Sequence, residues 1–69
     1  GVPLVEAIRV LAQQSKNAYF QDILFDVANS VEGGLGFSKS LAQYPKVFSV
    51  FYVQMIKIGE VSGNLQKTL

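Results

Sequence analysis

The stretch SKNAYFQDILFDVANSVEGG, residues 15–34, decides the fold class. Phe20, Ile23, Leu24, Val27, Ala28 and Val31 recur at the spacing of one face of an α-helix. Gln21, Asp22, Asp26 and Asn29 fall on the side facing away. A strand would alternate apolar and polar residues between hairpin turns, and nothing here does so. Ser15-Lys16-Asn17 is a polar break before the stripe. Gly33-Gly34 ends it, because glycine accepts the left-handed conformation that often follows a helix C-terminus.

The same logic extends in both directions. Upstream, Pro3 suits the first position of a helix, where its missing N–H is not needed. Leu4, Ala7, Ile8, Leu11 and Ala12 follow at helical spacing, with Glu6, Arg9 and Gln13 opposite, which predicts an amphipathic helix over residues 3–15. Downstream, Ser38 is placed as the N-cap of a short helix through Tyr44, with Leu41 as its main apolar contact. Pro45 stops that helix, since the residue before a proline is pushed out of helical geometry. A fourth helix is expected from about residue 49 to about 61. Its wheel gathers Phe48, Phe51, Tyr52, Met55, Ile56, Ile58 and Gly59 on one arc, read as core. Val50, Val53 and Val61 form a second apolar stripe. Gly63 breaks the helix, and Asn64 caps a fifth that begins at Leu65. The expectation is an all-α fold: an antiparallel helical bundle of four helices plus the start of a fifth, in a single domain over residues 1–69.

Composition narrows the chemistry. With 69 residues and neither cysteine nor histidine, the chain has no disulfide, no thiolate metal site and no imidazole base. Six serines have no histidine to activate them, and the adjacent Ser38 and Lys39 point about 100° apart on a helix. Asp22 and Asp26 share a helix face and could seed a cation site, but two carboxylates are more often a solvated face than a hard-cation cage. Gly33-Gly34-Leu35-Gly36 lacks the Lys-Ser/Thr of a phosphate loop and follows a helix instead of a strand, so it reads as a helix end and turn. The net charge of +1, with its basic residues scattered, offers no footprint for nucleic acid. No apolar run approaches the ~20 residues of a membrane span, and the start shows no signal-peptide pattern. The opening Gly1-Val2-Pro3, without Met, reads as that of an excised, truncated piece. No catalysis, cofactor, metal or small-molecule substrate is expected.

The ordered motifs resemble those of the F family of inner-membrane platform proteins in type II secretion and type IV pilus assembly. Gly1-Val2-Pro3-Leu4 before an amphipathic helix is similar to the start of the family's repeat. Gly34-Leu35-Gly36-Phe37-Ser38-Lys39-Ser40-Leu41 resembles its turn-and-helix pattern, with Phe37 where leucine is usual and Ser40 where alanine is usual. Pro45 with Phe48 resembles its linker, and Gly59-Glu60-Val61-Ser62-Gly63-Asn64-Leu65 its Gly-Glu-x-Ser-Gly-x-Leu signature. The spacings agree without insertion over essentially the whole chain. The resemblance implies part of a six-helix cytoplasmic domain of a bacterial or archaeal inner-membrane protein, lacking the first helix and most of the sixth. It implies a scaffold that contacts the assembly ATPase and other membrane components, and no enzyme. The alternatives are a generic helical adaptor bundle matching by accident and a small nucleic-acid-binding helical domain.

Gly34, Ser38, Leu41, Pro45, Phe48, Gly59, Glu60, Ser62, Gly63 and Leu65 are thereby candidate structural or interaction residues. Glu60, Ser62 and Gly63 are expected at the joint between the fourth and fifth helices, with the Glu60 charge favouring the positive end of the fifth. The competing role for Glu60 is a contact with the ATPase. Val50, Val53 and Val61 are the candidate interface, through which the chain is expected to form a homo-oligomer; the other reading, favoured for a helix apolar on two sides, is that the missing parts of the bundle cover this stripe.

Overall fold

A computed structural model describes residues 3–62 as four helices, with no strand among them. The fold is all-α. The helices are α1, Pro3–Gln14, α2, Ala18–Glu32, α3, Phe37–Ala42, and α4, Val50–Ser62. The expected fifth helix, with Gly63, Asn64 and Leu65, lies outside the described residues. The chain divides into two compact units, Gly1–Gly36 and Phe37–Leu69.

In the first unit α1 and α2 form a helical hairpin across the three residues between Gln14 and Ala18. The break is built by side chains. The Ser15 hydroxyl accepts from the Asn17 N–H (3.2 Å) and donates to the Asn17 carbonyl (3.3 Å). Asn17 then caps α2: its Oδ1 accepts from the Phe20 N–H at 3.1 Å, satisfying one of the orphan donors of the first turn. Gln21 donates from Nε2 to the Ala12 carbonyl at 3.0 Å, near the open end of α1. The sequence reading turned Gln21 away from the core; instead it reaches back across the hairpin.

Ile23, Leu24, Val27 and Ala28 of the quoted stripe are buried, while Phe20 and Val31 are half-buried at its edges. On α1 the buried positions are Val5, Ile8 and Ala12. Two expected core residues, Leu4 and Leu11, are 38% and 58% exposed, and Ala7 is exposed as well. The reason lies at Arg9, which the wheel set opposite the core. Its guanidinium donates to Asn29 Oδ1 (3.0 Å) and Glu32 Oε1 (2.6 Å) on α2, so the inward face is turned toward Val5 and Arg9.

The hairpin ends as its glycines require. Gly34 has φ +110°, and the Leu35 N–H donates to the Ser30 carbonyl and the Gly34 N–H to the Val31 carbonyl, both at 3.0 Å. This paired pattern with a left-handed residue is a Schellman termination. Gly33 keeps right-handed helical geometry.

In the second unit α3 packs on α4. α3 ends at Ala42, two residues earlier than expected. Pro45 then opens a turn in which the Tyr44 carbonyl accepts from the Val47 and Phe48 N–H groups. Ser49 caps α4, its hydroxyl accepting from the Tyr52 N–H at 3.1 Å.

Candidate functional site

α4 carries six of the candidate residues: Val50, Val53, Gly59, Glu60, Val61 and Ser62. Its apolar side chains are spread around the whole helix, so no single face is marked as inward. A polar contact ties it to α3. Glu60, near its end, reaches the start of α3: Oε2 accepts from the Ser38 N–H at 3.1 Å and Oε1 from the Ser38 hydroxyl at 2.6 Å. Positions 53, 56 and 60 lie three and four apart, hence on one helix face, and Val53 there is buried at 9% exposure.

This corrects two expectations about residues. Ser38 is not an N-cap. α3 begins at Phe37, so Ser38 sits inside its first turn, buried, with its hydroxyl donating to Glu60 instead of accepting from its own helix. The capping group is the carboxylate of another helix, whose charge suits the positive end of α3. Glu60 was expected to favour the helix after α4; its described partner is the helix before it. A cap supplied from 22 residues away leaves no local signal, which is why the sequence did not show it.

The apolar faces are corrected as well. Phe51, Met55 and Ile58, read as core, are 75%, 56% and 67% exposed, and Tyr52 is 46% exposed. Val53, assigned to the outer stripe, is the buried one; Val50 and Val61 of that stripe are exposed. The six residues of α3 cover one face of a 13-residue helix and leave the others bare. Gln54, Lys57, Ile58 and Val61 line a shallow open depression on α4.

Leu41 is buried on α3. Phe48 stacks on Tyr52, ring centres 6.2 Å apart and planes inclined by 22°. Gly59 is half-buried within α4, and Ser62 is its last residue. Gly63 and Leu65 lie outside the described residues. Asp22 and Asp26 are exposed, and the described residues contain no cluster of three His, Cys, Asp or Glu that would hold a metal. No helix among them is long and apolar enough to cross a membrane.

Electrostatics single out one pair. The Arg9 hydrogen bond, and then its charge, hold the Glu32 carboxyl below the usual glutamate range, while the bond to Glu32 raises Arg9. Arg9, Asn29, Gln21, Asn17 and Ser49 were all missed or misplaced from sequence. Only the two caps had a readable signal, a short polar residue just before an apolar run.

Comparison with known proteins bears on the site through its motifs. The family model for type II secretion system (T2SS), protein F, matches residues 1–69. Type IV pilus assembly protein PilC of Myxococcus xanthus is 42% identical over 69 residues, all of this chain and 16% of that protein. PilC of Thermus thermophilus is 41% identical over the same span, 17% of its length. Type II secretion system protein F of Vibrio cholerae is 38% identical, again over the full chain and 17% of its own length. The chain thus spans about one sixth of the curated relatives it matches. No solved structure matches it. By a family match over its full length, the chain belongs to the type II secretion system protein F family.

Proposed function

We propose that this chain is a cytoplasmic scaffold domain of an inner-membrane platform protein in type II secretion or type IV pilus assembly, acting by binding and without catalysis. Its partners are the cytoplasmic assembly ATPase, other membrane components of the machine and further copies of the same protein. The observation that carries the reading is the family match over residues 1–69, with relatives named for both pilus assembly and type II secretion. It also replaces the generic adaptor bundle as the account of the motif order. The structure supplies a surface suited to the role. Val50, Phe51, Met55, Ile58 and Val61 expose apolar area on one 13-residue helix, more than a scattering of single residues on a solvated face.

The test is made in the parent protein. Aspartate at Val50 and Val61 should abolish co-purification of the cognate ATPase or of a second tagged copy, and with it piliation or secretion, at unchanged protein level. Wild-type recovery of both partners and wild-type assembly would refute a scaffold role for this surface. Measurable nucleotide hydrolysis by the purified parent alone would refute the non-enzymatic reading.

A further inference from the structure

α3 has six residues, less than two turns. Helix nucleation fixes several dihedrals for one hydrogen bond, so isolated helices below roughly 12–15 residues are marginal even in favourable sequences. α3 therefore persists through what it packs on, which is α4. α4 is more than twice as long and has its own cap at Ser49. The two helices depend on their contact unequally.

The contact itself is also lopsided. Ser38, on the short helix, is 4% exposed, while Glu60, on the long helix, is exposed overall. The sealed half of the pair sits on the element with least stability of its own. The more exposed half is the residue that supplies the carboxylate, and the two bonds themselves are part-buried. Removing that carboxylate leaves a buried hydroxyl and a first-turn N–H without their acceptor, a penalty that falls on α3 and not on α4.

We propose that Glu60 is the catch of a latch: when its carboxylate releases Ser38, α3 opens from α4 as a unit, uncovering the α4 face that carries Val53, while α4 stays helical. Opening of this kind is a local event that costs less than global unfolding, and elements that move on partner binding are drawn from that class. It places the Gly-Glu block of the family signature in control of a second, normally covered apolar face.

Backbone amide exchange followed by NMR on the 69-residue chain tests this. In the unmodified chain the Leu41 and Ala42 amides should exchange through a common opening, at least about tenfold more often than the amides of α4, because the six-residue α3 has less stability of its own. Glu60→Ala should raise α3 exchange by a further factor of about ten or more, leaving α4 amides within about threefold, because the lost bond belongs to α3. Glu60→Gln, which keeps an acceptor for Ser38, should fall between them. Equal acceleration of α3 and α4 in either variant would overturn the latch, since the two would then unfold as one. Unchanged α3 exchange would overturn it equally, since the carboxylate would then hold nothing. If Glu60→Ala unfolds α4 as well, the idea also fails; the unmodified chain and Glu60→Gln still give the ratio independently.

Discussion

Gly33 and Gly34 are adjacent, chemically identical and predicted to respond oppositely to the same substitution. Gly34 has φ +110°, a conformation that residues with a Cβ rarely adopt. A Cβ built there meets nothing within 4 Å, so the cost of alanine is backbone strain alone. Forcing an L-residue into left-handed geometry costs about 1–2 kcal/mol. Gly33 has φ −78° and ψ −1°, which alanine adopts freely. Its added Cβ would lie 3.4 Å from the Asn29 carbonyl oxygen and 3.6 Å from that of Ser30, ordinary contacts. Alanine at 33 also removes conformational freedom from the unfolded chain, a gain of about 0.4–1 kcal/mol where the native backbone is compatible.

The two variants should therefore differ by about 1.5–3 kcal/mol. For a domain of this size each kcal/mol moves Tm by about 4–8 °C, so the gap should reach about 6 °C or more. Thermal and urea unfolding followed by far-ultraviolet circular dichroism measures it. Chemical synthesis of so short a chain allows a stricter control: D-alanine at 34 should restore or exceed native stability. If Gly33→Ala is as damaging as Gly34→Ala, or if D-alanine at 34 is as damaging as L-alanine, the termination does not rest on left-handed backbone and the reasoning is wrong.

Three further outcomes are expected. Asn17→Ala should cost about 0.5–2 kcal/mol in urea unfolding, the usual loss for an N-cap, and Asn17→Asp should lose far less. Val27→Ala, at a fully buried position, should cost about 1–3 kcal/mol by loss of packing, whereas Phe51→Ala at 75% exposure should stay within about 0.5 kcal/mol, reversing the order expected from side-chain size. The Glu32 carboxyl is lowered in the folded chain, so its pairing with Arg9 contributes at neutral pH and is lost as acid protonates it; Glu32→Gln should flatten that part of the acid dependence, and the difference should shrink in high salt because both side chains are partly exposed.

How far the sequence could be read depended on whether the deciding partner was local. α2 was legible because its stripe, its polar entry and its glycine exit all lie within the same stretch of chain, and Ile23, Leu24, Val27 and Ala28 are buried as the spacing requires. α1 was legible as a helix but not in its rotation: Arg9 looks solvent-facing on a wheel until Asn29 and Glu32, in the last turn of another helix, are placed beside it. α4 is the limiting case. An apolar residue at nearly every bearing tells the reader that a helix forms and nothing about which side faces in, so Val53 and Phe51 exchanged roles. Glu60, on the Val53 side, bonds to Ser38, and each belongs to a different motif block, Gly59–Leu65 and Gly34–Leu41. Taken singly, one block looks like a capped helix start and the other like a helix end with a glycine stop. The two hydrogen bonds between Ser38 and Glu60 tie the start of α3 to the last turn of α4. The spacing between the two residues in this chain then has a physical consequence: the turn through Pro45 and the length of α4 bring a carboxylate at position 60 to a buried serine at position 38, and an inserted residue in α4 would rotate that carboxylate about 100° away.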